Sequence, residues 1–401
     1  MAAIAGLRGT GDWGTDERPK NFRETILWRS PNGQAPLTAL MARMKSEHVD
    51  DPEFAWWEEE MNALRLTLSA ATYGTTDTSL TLTSNLQDAN DIVPGDLFLL
   101  EKTLTAAYDN EIIMASSVTS TTVAVFKRGQ VGTTPTLILP SVKMTKVGNM
   151  FAEGTTAPSA STRNPTKLFN YVQIFKTTYD ITNTAKITKA RTGDATKNDK
   201  RRKMFDHAVA LEFAAIFGKR FEGTGANGKP MRTSGGLLYM MSTYASNMIT
   251  IFATTPTETT FTDAIYTVFD YDTGAGDERI VLAGNGALNS LNRLAAAQSR
   301  TRVTFEGIIN VYGMNLQKWV LPQGTIFVKS HPLFNVHARF TNDMLVLDPT
   351  ALKLRTMRDT HFKDNIQAND SDSTKGQWLS ELGWEIQHLK TSAWLSNFLV
   401  P

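Results

Sequence analysis

The sequence has 401 residues, 41% apolar and 20% charged, with 27 glycines and 15 prolines. That is a globular composition, and the length asks for two or three domains or one elongated subunit rather than a single core. Forty-one Lys and Arg against 40 Asp and Glu leave a formal net charge of +1, which argues against a dedicated nucleic-acid binder. With no cysteine, disulfides, thiolate metal sites and cysteine nucleophiles are excluded. No run reaches the roughly 18 apolar residues of a membrane-spanning helix, and residues 1–8 lack a leader's basic start and long apolar stretch. We expect a soluble protein made in a reducing compartment.

Gly6, Gly9, Gly11 and Gly14 among charges leave residues 1–20 no periodicity to bury, so they read as a loose arm. Leu37, Leu40, Met41 and Met44 have helical spacing after the turn at Ser30 to Gly33, which predicts a short helix between Phe22 and Lys45. Trp56 and Trp57 read as a packed pair beside the solvated acids Glu58, Glu59 and Glu60. From Arg65 to about Leu139, threonine, serine and β-branched residues alternate in short runs such as Leu64–Leu68, Ser79–Thr83 and Val123–Phe126. Turn signals punctuate them at Val93–Asp96 and Arg128–Gly132. This spacing predicts a small all-β unit, sandwich or barrel, inserted in the chain.

Val142 to Asn149 and Lys167 to Thr182 read as two long strands around a tip of small residues, Phe151 to Pro158. They predict an extended hairpin that is stable only when laid on something else. A helix begins near Lys197 and stops at Gly223, with Phe205, Val209, Phe213, Ile216 and Phe217 as its apolar stripe, broadened by Ala208, Leu211 and Ala215. Downstream, Thr262–Tyr271 and Ala287–Gln298 read as helices. Arg279–Leu282 reads as a buried strand, and Ile308–Val311, Leu316–Leu321 and Thr325–Val328 as further strands. Thr360–Gln367 and Gln377–Leu389 form a hairpin around Asn369 to Gly376, and Ala393–Val400 is a last docking strand.

Four constellations bear on chemistry. Gly223 to Pro230 matches glycine-rich phosphate patterns, but it follows a helix rather than preceding one, and Pro230 replaces the magnesium-binding hydroxyl. Ile280 to Asn289 has the strand-to-helix context, but Asn289 stands where a third glycine is needed. His331 and His337 would share a face of a strand, with no carboxylate at ligand spacing. Asp370, Asp372 and Glu381 imitate calcium-loop positions, with Lys375 in place of the glycine. No catalytic, cofactor-binding or metal residue is expected, and no cofactor. One charge asymmetry stands out: 11 Lys and Arg against 3 Asp lie between Arg163 and Lys203, whereas residues 1–60 hold 11 Asp and Glu against 7 Lys and Arg. The sharper interpretation sets the basic strand and helix start of one copy against the acidic arm of another, with assembly weakened by salt.

The order of these parts resembles the major capsid protein of tailed bacteriophages, the Hong Kong 97-type fold. It is carried by the arm, the Phe151 to Pro158 tip, the strand Tyr171 to Lys176, the long helix with its Gly223-Thr224-Gly225 loop, the strand–turn–helix at Ile280 to Leu294 and the closing hairpin. The Asp51 to Trp56 stretch and the β-rich insertion look like a subfamily with an extra domain. The resemblance implies an α+β chain with an arm (1–64), an insertion domain (65–139), an extended loop (140–170) whose tip overlies a neighbour, and a peripheral domain (171–232, spine helix 197–221). An axial domain (233–344) and closing peripheral strands (345–401) follow. It implies an icosahedral virion shell built by the chain itself as hexamers and pentamers, assembled in the bacterial host cytoplasm. Further implied partners are a separate scaffold protein, a portal, a decoration protein and non-specifically contacted double-stranded DNA, without a membrane. Gly154 occupies the place of the lysine that crosslinks some shells, so no such crosslink is expected. The alternatives are the shell of a protein-cargo nanocompartment and a nucleotide-using enzyme built on Gly223 to Lys229.

Overall fold

The chain leaves its first unit after Trp56, builds a second from residues 57–167, and returns at Leu168 to complete the first. The computed structural model describes residues 46–59, 64–83, 92–101, 111–158, 164–188, 193–270, 276–297, 305–311, 314–321 and 323–398. The expected arm up to residue 45, and the short helix within it, lie outside these residues. Two strands precede the second unit, β1 (Ser46–His48) and β2 (Glu53–Glu58).

The second unit holds β3 (Arg65–Thr67), β4 (Ser79–Thr81), β5 (Asp96–Leu100), β6 (Ile112–Val118), β7 (Val123–Gln130) and β8 (Lys143–Asn149) in the order β3-β8-β5-β6-β7-β4, antiparallel throughout. Its two edges meet. Leu68 bridges Leu82, the Ser69 N–H donates to the Thr81 carbonyl at 2.8 Å, and the Thr83 N–H donates to that of Thr67 at 2.9 Å. The sheet is thus a closed barrel, which leaves no edge to pair with another chain. Alternation along each strand turns Leu66, Leu80, Phe98, Ile113, Phe126 and Met144 inward. Phe98 and Phe126 meet edge-to-face with centroids 5.9 Å apart.

This corrects two expectations. The β-rich unit does not stop at 139, because β8 supplies Met144, fully buried, to the barrel core. Nor do β8 and the next strand pair as an extended hairpin. β8 pairs with β3 and β5, while β9 (Thr166–Tyr171) pairs with β2.

In the first unit β9 runs into β10 (Gln173–Thr182), followed by α1 (Asn183–Ile187), α2 (Ala195–Phe217), β11 (Phe221–Thr224), β12 (Pro230–Thr233), α3 (Leu237–Tyr244), β13 (Ile249–Ile251) and α4 (Glu258–Tyr266). Then come β14 (Glu278–Ala283), α5 (Asn285–Ala297), β15 (Phe305–Val311), β16 (Met314–Leu321), β17 (Gly324–Ser330), β18 (Met344–Leu347), β19 (Leu352–Lys363), β20 (Ser373–Ile386) and β21 (Ala393–Ser396). One sheet has the order β1-β19-β20-β10, the larger β13-β21-β18-β14-β17-β16-β15. β14 lies parallel to β17 and antiparallel to β18, so it is central. Ile280 to Ala283 and Met344 to Leu347 are accordingly buried without alternation, as strands covered on both faces must be. The fold is α+β.

The long helix α2 spans 23 residues, about 35 Å at ~1.5 Å per residue. Asp194 caps it, its carboxylate accepting from the N–H groups of Thr196 (2.9 Å) and Lys197 (3.3 Å). The helix ends at Phe217, not at 221 or 223. A side chain on Gly218 would sit 2.3 Å from the Ala214 carbonyl and 2.7 Å from that of Ser234, so the chain turns where Ser234 to Gly236 close over the helix end. The anticipated stripe is buried only at Leu211, Ala215 and Ile216. His207, Leu211, Glu212, Ala215 and Ile216 are buried, while Phe205, Val209 and Phe213 are half-buried.

Candidate functional site

Each constellation singled out for chemistry is absorbed by the fold. Gly223 to Pro230 closes the β11–β12 hairpin. The Gly225 N–H donates to the Lys229 carbonyl (2.8 Å), the Gly228 N–H to the Gly225 carbonyl (2.9 Å), and the Lys229 N–H to Asn227 Oδ1 (3.1 Å). Three of the loop's amides are thus turned to the hairpin itself, and a strand rather than a helix follows. At Gly284 and Gly286 the closing neighbour is the turn Phe340–Asn342. A Cβ on Gly284 would lie 2.4 Å from the Thr341 carbonyl oxygen, and one on Gly286 would lie 2.0 Å from Asn342 Oδ1. The Asn285 N–H at the start of α5 donates to Asn335 Oδ1 at 2.8 Å. Protein fills the crevice where a dinucleotide would lie.

His331 and His337 do not share a strand face. They flank the 3₁₀ turn Pro332–Val336, with His331 buried and His337 exposed. Asp370, Asp372 and Glu381 do not converge. The Asn183 amide donates to Asp372 at 2.6 Å, Arg358 donates to Glu381 from the adjacent strand, and the Lys375 N–H donates to Gln367.

The buried polar side chains of α2 escaped the sequence, whose stripe ran along the neighbouring apolar positions. They tie the helix to both sheets. His207 Nδ1 lies 3.0 Å from Thr177 Oγ1 on β10, and Nε2 lies 2.7 Å from Ser380 Oγ on β20; burial pushes this imidazole's pKa down. One turn and a half further on, Glu212 Oε1 meets His331 Nε2 just beyond β17. The ring of Phe217 then stacks on Phe340, with centroids 4.4 Å apart. Towards the start of the helix, Lys200 Nζ sits 3.6 Å from the Phe362 ring centroid, and the Trp378 indole N–H donates to the Lys200 carbonyl. On the smaller sheet Arg355 joins Glu47 of β1 to the fully buried Glu385 of β20.

The barrel has its own buried pair. Arg128 Nε and Nη2 each donate at 2.7 Å to a Glu111 carboxylate whose side chain has no exposed surface. Glu111 also accepts from the N–H groups of Gly129 (3.0 Å) and Thr136 (2.9 Å). Burial raises the Glu111 pKa, but the guanidinium and the two amides outweigh it and leave the carboxyl below its usual range. Glu101, bonded by Arg65 and Thr145, is drawn down to about 2.

What remains uncovered is surface. Every residue from Val147 to Pro158 is exposed, including Met150 and Phe151. Phe221 and Met231 stand out on one face of the β11–β12 hairpin, and Ile187 is 84% exposed at the end of α1. The charges of residues 1–60 divide unevenly along the segment. The acids of residues 1–60 concentrate after residue 45, where Glu47 pairs with Arg355 and Asp51 accepts from the Glu53 N–H. Residues 1–45 hold Arg8, Arg18, Lys20, Arg23, Arg29, Arg43 and Lys45 against Asp12, Asp16, Glu17 and Glu24, so this part of the arm is basic and the arm's acids lie mostly beyond it.

The chain is similar to the major capsid protein of Pseudomonas phage PaMx41, 27% identical over 417 residues that cover 100% of this chain and 94% of the relative. Among solved structures it is similar to that of Mycobacterium phage Bobi (8% identity, TM-score 0.47, 95% of this chain and 96% of the other) and to the capsid of a native GTA particle (8%, 0.46, 96% and 97%). It is also similar to the SrpI encapsulin of Synechococcus elongatus PCC 7942 (10%, 0.42), over only 59% of this chain and 77% of the other. A family model described as SU10 major capsid protein matches residues 7–398, end to end through both units, and the chain belongs to that family of phage capsid subunits.

Proposed function

We propose that copies of this chain assemble, as hexamers and pentamers, into an icosahedral virion shell around packaged double-stranded DNA, and that the chain itself catalyses nothing. The carrying observation is the uninterrupted exposed stretch Val147 to Pro158 with its apolar Met150 and Phe151. A segment left this open on its own chain gains stability when laid over a neighbouring copy, and modest contacts repeated around each subunit become strong together. In this reading residues 171–232 and 345–401 form a peripheral domain with α2 as spine, and residues 233–344 form an axial domain around the symmetry centres. A net charge of +1 limits repulsion between hundreds of copies. A separate scaffold protein and a portal act during assembly in the bacterial cytoplasm, a decoration protein attaches outside, and DNA is contacted without sequence preference.

Electron microscopy of the expressed chain, with and without a candidate scaffold, tests this. Closed icosahedral particles are the expected result. A monomer at every concentration and salt, with residues 147–158 protected from protease, overturns it. Particles that load protein cargo and exclude nucleic acid would favour a nanocompartment instead.

A further inference from the structure

We propose that the loop from Gly129 to Val142 on the barrel docks against the same loop of a second copy of this chain. The proposal rests on the shell-subunit reading and adds a contact to it. The loop exposes Val131 (60%), Leu137 (56%) and Leu139 (46%), while Ile138 between the two leucines turns inward and bridges Tyr73. Single exposed leucines are ordinary; three large apolar side chains on one rigid loop are not.

Rigidity is built in from beneath. Arg128 donates to the carbonyls of Gly74 (2.8 Å) and Thr136, and Glu111 accepts from Gly129 and Thr136, so the start of the loop and its middle, next to Leu137, are clamped to one buried ion pair. Thr133 closes the turn, its N–H and hydroxyl both donating to the Gln130 carbonyl. Val131 is held at φ 55°, a region that a β-branched residue adopts only when its surroundings impose it. A surface fixed before binding loses little freedom on docking.

The partner follows from charge. Not one residue from Gly129 to Val142 is charged, in a chain that is 20% charged. A charged patch would repel its own copy, whereas an uncharged apolar one meets itself without penalty.

The chain has no cysteine, so Leu137→Cys introduces the sole thiol. In shells of this variant, mild oxidation or a short bis-maleimide is expected to give covalent dimers, absent from unassembled subunits; a disulfide needs Cα atoms within about 4.4–6.8 Å. Leu137→Asp combined with Leu139→Asp should leave subunit melting unchanged but lower shell yield at least several-fold. Leu137→Cys shells that remain monomeric with both reagents overturn the proposal, as do thiols crosslinked only to another phage protein, or double-aspartate shells of wild-type yield. If the unsubstituted chain forms no shells, the shell-subunit reading fails instead.

Discussion

Nε2 of His331 lies 2.8 Å from Oε1 of Glu212, and neither side chain has any exposed surface. The Leu333 N–H donates to His331 Nδ1 at 3.3 Å, which places the ring proton on Nε2, where it is donated to the carboxylate. This contact fixes the second half of α2 against the segment that follows β17. Removing the imidazole takes a buried hydrogen bond from Glu212 and another from the Leu333 N–H, so His331→Ala should lower subunit stability by about 1–3 kcal/mol. Replacing the two together, Glu212→Met with His331→Leu, should cost less, because the buried carboxylate leaves together with the imidazole that served it and, of this contact, only the Leu333 N–H loses its acceptor. Urea unfolding of unassembled subunits reads both, and equal losses for the single and double variants would contradict this account.

The two glycine-rich stretches should respond oppositely to alanine. At Gly284 a methyl group runs into the Thr341 backbone, which cannot swing aside like a flexible side chain. Gly284→Ala should therefore cost about 1–3 kcal/mol. Lys229→Ala, at an exposed hairpin turn, should shift stability by less than about 0.5 kcal/mol and change no nucleotide binding. Thermal melting and a nucleotide-binding titration check the pair.

The difference between these stretches also shows what the sequence could reveal. The apolar run at β14 was legible because a strand buried on both faces needs no alternation, and the bulk of α2 was legible from its periodicity. The polar part of its buried face was not. His207 and Glu212 look like solvent residues until Ser380 and His331, 173 and 119 positions away, are brought beside them. The pairing of β8 was hidden for the same reason, since alternation marks a strand but not its neighbour. Helix α3 offered no entry signal, as Gly236 at its N-cap makes no side-chain bond. The absence of catalytic residues was an expectation from motif context, and the fates of Gly223 to Pro230 and Ile280 to Asn289 follow from loop and turn contacts no motif encodes.

Acid should loosen the barrel. Glu101 has a folded pKa of about 2 against its ordinary 4.5, and Glu111 is also lowered. A carboxyl depressed in the folded state stabilises fully above its unfolded value and loses that contribution as pH falls through the folded one. The contribution of Glu101 should thus fade from about pH 4.5 towards pH 2, and Glu101→Gln should flatten this part of the profile. Hydrogen exchange of barrel peptides between pH 5 and pH 2.5 measures it. Protection independent of pH across that window would refute the assignment.

His207 predicts a separate sensitivity at milder pH. Its ring is wedged between Thr177 and Ser380 with Phe175 edge-on, and burial lowers its pKa from the usual 6.5. As pH falls through about 6.5, the unfolded chain takes up a proton that the folded chain refuses. The unfolded state therefore gains on acidification, and the stabilisation from a neutral His207 is complete above 6.5 and shrinks below it. His207→Gln keeps a hydrogen-bonding side chain without the titration. The unsubstituted subunit should lose more melting temperature between pH 7.5 and pH 5.5 than the variant does. Since the other histidines are common to both proteins, the difference between the two profiles isolates this ring, and parallel profiles would place the titration elsewhere.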